Sequence, residues 1–185
     1  MATTPQSNQR LDWLPSSALA SLPTVSSSNY RGGLRHFAIG VTLVSTCHNG
    51  VRAGLTATAV CSVTAEPPRL VVFVNKNVAA CDLIFQSGAL CINVLAAEQE
   101  ELAKAFASMI PDVQGEARFN YGTWDKAVTG VPVLHNALAN FDCRVVKVFE
   151  ESTHQAFVCE VLATRERSDG AALIYLNGAF RSLPQ

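Results

Sequence analysis

Apolar and polar positions along this chain change period several times, and each change marks an element. From 41 to 46 the period is two: Val41, Leu43 and Ser45 would share one face, and Thr42, Val44 and Thr46 the other. That alternation predicts a strand. Asn49-Gly50 follows, and such a pair suits a type I′ hairpin turn because both central residues must take positive φ. The return strand is predicted over 53–63, and Pro67-Pro68 then punctuates the chain. Residues 70–74, Leu-Val-Val-Phe-Val, form a continuous apolar run that suits a strand buried on both faces. A helix is predicted over 78–86, with Asn77 as its cap and Gly88 just past its end. Residues 90–95 read as a strand. Residues 98–109 read as a second helix, with Leu102, Phe106 and Met109 on one face. The Gly, Pro and Asp of 110–130 mark a loop. Strands resume over 141–149 and 154–164, and a last hairpin pairs 172–176 with 179–183 through Asn177-Gly178.

Ahead of this body the pattern is weaker. Tyr30, Leu34 and Phe37 are spaced as on one face of a short helix, with Ser28 or Asn29 as cap and Gly40 as stop. Residues 1–28 are rich in Ser, Thr, Pro and Gln, interrupted by Trp13, Leu14, Leu19 and Leu22. They read either as a flexible arm whose apolar part docks on the body or a partner subunit, or as plain disorder. The division is therefore an arm, 1–28, and one domain, 29–185. About seven strands with two or three short helices on the connections predict a mainly β fold. Its form would be a closed or partly closed antiparallel barrel with short flanking helices.

Composition narrows the classes. The chain has 185 residues, 49% hydrophobic and 16% charged, which suits a globular domain rather than disorder. No run of about 18 apolar residues occurs, so no membrane span is predicted. The first ten residues are polar and carry no export signal, so a cytoplasmic protein is expected. Fourteen basic and 15 acidic residues give a net charge of −1, which argues against nucleic-acid binding. The cysteines Cys47, Cys61, Cys81, Cys91, Cys143 and Cys159 form no Cys-x-x-Cys pair, and the four histidines do not cluster with them. No metal site is expected; the thiols read as small buried hydrophobes in a reducing compartment.

The chain has no Gly-x-Gly-x-x-Gly, no phosphate-binding P-loop, no His-Glu-x-x-His and no Gly-x-Ser-x-Gly. Three features remain. Residues 54–62, Gly-Leu-Thr-Ala-Thr-Ala-Val-Cys-Ser, combine small side chains that admit a planar ligand with hydroxyls that can bond its edge. A Thr-rich strand of high β-propensity has the same composition. Residues 74–78, Val-Asn-Lys-Asn-Val, open a helix whose N-terminal N–H groups suit phosphate, with Lys76 adding charge. An ordinary cap beside a solvated lysine reads the same way. His154 is either structural or part of a site, depending on what lies near it.

Read in order, these residues resemble the flavin reductase-like family, the FMN-binding split barrels. The resemblance runs from about Tyr30 to Leu183. It rests on 38–45 (Ala-Ile-Gly-Val-Thr-Leu-Val-Ser), on 54–68, on 91–99 (Cys-Ile-Asn-Val-Leu-Ala-Ala-Glu-Gln) and on Arg118-Phe119. It continues through 130–134, 141–143, Thr153-His154 and 173–181. Within the family the chain is most similar to reductase components of two-component flavin-dependent monooxygenases, such as that of 4-hydroxyphenylacetate 3-monooxygenase. The reductase of pyrimidine-ring cleavage is similar too.

The resemblance implies a homodimer that oxidises NADH or NADPH and reduces FMN or FAD for a separate oxygenase component. It implies that Gly54, Leu55, Thr56, Thr58 and Ala59 hold the isoalloxazine ring, and that Phe73, Val74 and Asn75 add the next strand's contribution. Ala79 and Ala80 would lie near the flavin phosphate, Ala105 and Phe106 at a second-helix contact, and His154 beside the nicotinamide. Relatives often carry Ser near 78–80, where this chain has Val78, Ala79 and Ala80, which leaves phosphate to backbone N–H groups and Lys76. Many also read Gly-Asp-His where this chain has Ser152-Thr153-His154. A flavin- or haem-binding split barrel without reductase activity, and a purely structural β module, are the alternatives.

Overall fold

In a computed structural model, which describes residues 16–184, strand pairing begins at the first hairpin. Asn49 and Gly50 take φ of 50° and 81°, the left-handed pair that the turn requires. They fold β2 (Thr42–His48) back on β3 (Val51–Ala57), after a short β1 (Ile39–Gly40). Both faces of β2 are buried. Leu43 packs with Leu102, Phe106 and Leu173, while Val44 packs with Ile84, Ile92 and Phe157. Alternation therefore marks two cores here, not a core face and a wet face.

The predicted strand over 53–63 is two strands. β3 ends at Ala57, and β4 starts at Val60 (Val60–Ala65) and pairs with β5 (Pro68–Asn75). Between them Thr58 and Ala59 belong to no ladder. The break has a topological cause. The seven-stranded antiparallel sheet runs β3-β2-β6-β9-β10-β5-β4, so the chain leaves one edge at Ala57 and enters the other at Val60. β6 is Ala89–Val94, β9 Ala139–Glu151 and β10 His154–Glu166. No ladder joins β3 to β4 among the described residues, so the sheet stays split rather than closing into a barrel. The apolar run 70–74 is buried on one face only: Val72 and Val74 are buried, whereas Phe73 stays half-open toward the split.

Two helices flank the sheet. α3 spans Ala79–Ser87. Its cap is Val78, not Asn77, and makes no side-chain bond, because Asn75 Oδ1 accepts from Asn77 N (2.9 Å) and turns that segment aside. Gly88 closes the helix with φ 65°, as expected. The predicted helix over 98–109 is shorter. A 3₁₀ turn, Ala97–Gln99, leads into α4, Glu100–Phe106, and Ser108 with φ 59° ends it. Leu102 and Phe106 are buried as the spacing implies, but Met109 lies outside and is exposed. The expected loop 110–130 contains a 3₁₀ turn, Gly115–Asn120, and β7 (Trp124–Lys126), which pairs with β8 (Pro132–Leu134). β11 (Ala172–Leu176) and β12 (Ala179–Leu183) pair with each other where the pattern puts them, and β11 also pairs with β1.

The buried Asn93 side chain ties these parts together. Its Nδ2 donates to Leu43 O (2.9 Å) and Ser45 Oγ (3.1 Å), and its Oδ1 accepts from Leu134 N and Asn140 Nδ2. An amide bonded this fully carries little desolvation cost and fixes β8 against β6. Four cysteines, Cys81, Cys91, Cys143 and Cys159, are buried, but Cys47 is half-buried and Cys61 exposed on the edge strand β4.

Residues up to Leu34 form a separate unit from the body, 35–185. That unit holds α1 (Ser17–Ala20), capped by Ser16, and α2 (Ser27–Leu34). Ser26 Oγ accepts from Asn29 N, so capping precedes the expected Ser28 or Asn29. α2 stops before Phe37. Leu19 and Leu22 are exposed, and Trp13 and Leu14 lie outside the described residues. No described helix is long and apolar enough to cross a membrane.

Candidate functional site

The split between β3 and β4 opens on a cavity of about 350 Å³, within the size range of small-molecule sites. One wall is Leu55, Thr56, Ala57, Thr58 and Ala59; Phe73 and Asn75 of β5 and His154 of β10 form another. Phe106, Ala107 and Ser108 at the end of α4, with Arg118, close the remaining side. Among the described residues no carboxylate lines it.

β3 is an edge strand, so every second residue presents backbone polar groups to the split. Which residues these are follows from Gly54, whose carbonyl accepts from Arg118 Nη1 (3.4 Å) and so faces away from β2. In an antiparallel strand the N–H and C=O of one residue point the same way and alternate along the chain. Thr56 therefore also turns its N–H outward. Thr58, past the strand end, lies in no ladder. The Thr56 hydroxyl, by contrast, donates to Ala103 O (2.7 Å) and is committed to α4. Gly54 lies beneath Phe106. A Cβ there would sit 2.8 Å from Phe106 Cε1 and 2.8 Å from Val44 O, so only glycine lets α4 approach β3 this closely.

His154 opens β10 opposite Asn75 of β5. Its Nδ1 is 2.8 Å from Thr153 Oγ1, so a hydroxyl occupies one ring nitrogen. Lys76 is not free to meet a ligand, because its ammonium pairs with Glu150. In the first turn of α3, burial and the neighbouring Asp82 push the Cys81 thiol above its ordinary value.

The structure brings Leu55, Thr56, Thr58, Ala59, Phe73, Asn75, Phe106 and His154 to one cavity, from four separate strands and helices. It does not bring Val74, Ala80 or Ala105 there, since all three are buried in the cores, and Ala79 faces solvent. Gly54 acts from beneath. Arg118, Ala107 and Ser108 belong to the cavity but were not among the residues singled out in the sequence. The Arg118-Phe119 pair lay within the resemblance, yet its distance along the chain from Gly54 gave no sign of contact.

A model of the flavin reductase like domain matches residues 34–184. The chain belongs to the flavin reductase-like family. It is 39% identical over 167 residues to the FMN reductase (NADH) RutF of Ancylobacter novellus, covering 90% of this chain and 91% of that protein. To the FMN reductase (NADH) RutF 2 of Methylorubrum extorquens strain PA1 it is 44% identical over 161 residues, covering 87% and 92%. Among solved structures it is similar to BorF, the flavin reductase component of a bacterial two-component tryptophan halogenase. The TM-score is 0.78 with 30% identity, covering 86% of this chain and 99% of that one.

The residues present fit a flavin. The cavity wall is made of small side chains, two phenylalanines flank it, and an outward backbone N–H stands where a heterocycle edge could accept it.

Proposed function

We propose that this cavity is where the chain, an NAD(P)H-dependent flavin reductase, brings a pyridine nucleotide against FMN or FAD. The reduced flavin then passes to a separate oxygenase component. The observation that carries this reading is the edge strand itself: the outward N–H of Thr56 and the unpaired Thr58 face a slot walled by small residues. When bound, the flavin supplies N5 as the acceptor of hydride from nicotinamide C4.

The protein's part is positioning and electrostatics. The backbone N–H groups at Thr56 and Thr58 hold the ring edge and stabilise negative charge that develops there. Phe73 and Phe106 bound the slot and exclude water, with Leu55, Ala59 and Asn75 completing its outline. Gly54 sets the spacing from below; Val74, Ala80 and Ala105 act through the core behind the wall, and Ala79 through the backbone at the start of α3. His154 has one nitrogen held by Thr153, which leaves the other for the nicotinamide nucleotide; its role is orientation, not proton abstraction. With few charged contacts the site binds flavin only in the micromolar range, about −8 kcal/mol, which permits release.

Catalysis belongs to the 29–185 domain, with 1–28 as an arm. The body presents Phe85, Phe149, Val146 and Leu162 to solvent, and Phe149 packs edge-on against Phe73 of the cavity (6.4 Å). We assign these exposed apolar side chains to contact with a second copy of the chain.

The test follows absorbance at 340 nm with NADH and either FMN or FAD. Flavin-dependent NADH oxidation is expected, and His154→Ala should raise KM for NADH about tenfold, the equivalent of about 1.4 kcal/mol. No oxidation with either flavin, while flavin still binds, would favour a non-catalytic flavin carrier.

A further inference from the structure

Among the described residues Arg118 is the one formally charged residue that lines the cavity, and no carboxylate pairs with it. Arg52, Arg69, Arg144, Arg165 and Arg167 each meet a carboxylate, whereas none pairs with Arg118 among the described residues. Its side chain is only half-exposed, so solvent screens it incompletely. Of its five N–H groups, one bonds Gly54 O (3.4 Å) and one bonds Ser108 Oγ (2.6 Å). Nε is buried without any partner. Ser108 accepts from Arg118, so its own O–H remains free to donate, and its φ of 59° holds it off the end of α4 beside the guanidinium.

We propose that Arg118 and Ser108 together bind a phosphate group of a nucleotide held in this cavity. The proposal rests on the flavin reductase reading and places the anionic end of a ligand within it. A planar guanidinium fork beside a hydroxyl donor matches a phosphate, and the fork's charge makes each bond a strong one. The competing location is the start of α3, whose first-turn N–H groups could also meet a phosphate. Here that turn offers no side-chain cap, Ala80 is buried, and Lys76 is spent on Glu150. The cation available in the cavity is therefore at the other end of the wall. From Gly54, bonded to Arg118, to Ala59, bonded to Phe73 N, the chain spans at most about 18 Å. A ring can lie along that wall with its phosphate at the Arg118 end. The phosphate has two sources, the flavin mononucleotide and the pyridine dinucleotide.

Binding separates them. FMN and riboflavin, which lacks the phosphate, are titrated by flavin fluorescence into the full-length protein, its Arg118→Gln and Arg118→Lys variants and Ser108→Ala. KM for NADH is measured beside them with riboflavin as acceptor. If the phosphate is the flavin's, the native protein prefers FMN over riboflavin by about tenfold, the effect of one charge-assisted hydrogen bond. Arg118→Gln then brings that ratio toward unity, and Arg118→Lys restores part of it. If the phosphate is the dinucleotide's, the ratio holds and KM for NADH rises about tenfold in Arg118→Gln with kcat little changed. Ser108 is exposed, so Ser108→Ala keeps the fold and must shift the same quantity in the same direction. Arg118→Gln and Ser108→Ala with both ratio and KM within about twofold of native overturn the proposal. So does an equal weakening of FMN and riboflavin, which would make Arg118 only part of the wall. NADH oxidation that fails with every flavin in the native protein would sink the reductase reading, while the FMN-to-riboflavin ratio would still report on the phosphate site.

Discussion

At Gly54 one absent methyl group decides whether β3 and α4 can meet. The added carbon of Gly54→Ala would press on Val44 O, which is backbone and cannot turn aside, as well as on Phe106. Overpacking of this kind costs about 1–3 kcal/mol, and it would also displace the wall of the cavity. The expected result is a lower unfolding free energy together with weaker FMN binding; a variant with native values for both contradicts the packing account. The sequence displayed this position well, because Gly54 opens a run of small residues and hydroxyls that is unusual for a strand. Arg118 was not displayed. Its partners are Ser108, ten residues away, and Gly54, 64 residues away, and no local pattern encodes either contact. Lys76 was misleading for the same reason, since Glu150, 74 residues on, takes its charge.

Elements governed by local chemistry were legible. The Asn-Gly turns at 49–50 and 177–178 fixed two hairpins, and the Gly88 stop fixed the end of α3. Elements governed by partners were not. Residues 53–63 have an unbroken β composition, and only the identity of the strands on either side explains why pairing stops at Ala57. α4 ends at Phe106 although the 3.6-residue period continues to Met109, because Ser108 takes φ 59°, which an α-helix cannot continue. The junction of β3 with α4 is held by a side chain, Thr56 Oγ1 to Ala103 O. Thr56→Val keeps the shape and the backbone donor but loses that bond, and about 1 kcal/mol of stability should go with it. A denaturant midpoint identical to native would show the bond to be idle.

On the scale of the whole molecule, the order β3-β2-β6-β9-β10-β5-β4 matters most, because it places the two edge strands on either side of one short connection and leaves the site between them. The same packing sets an alkaline limit. Burial pushes Cys159 up to about 12 from an ordinary value of 9.0, and pushes Cys91 and Cys143 up as well. In the unfolded chain these thiols ionise near 9, while in the fold they hold their protons. Stability is therefore complete below pH 9 and falls as pH rises toward 12, by about 1.4 kcal/mol per pH unit for each such thiol. Denaturant unfolding at pH 8 and pH 10.5 should show this fall, and Cys159→Ala should make it shallower; an equal slope in the variant contradicts it. The most direct measurement of all is a crystal structure of the protein soaked with FMN. The account predicts the ring lying flat along 54–59, with an acceptor atom of its edge bonded to the Thr56 N–H and Phe73 at its side. A ring bound elsewhere, with that wall unchanged and the slot filled by side chains, would contradict it.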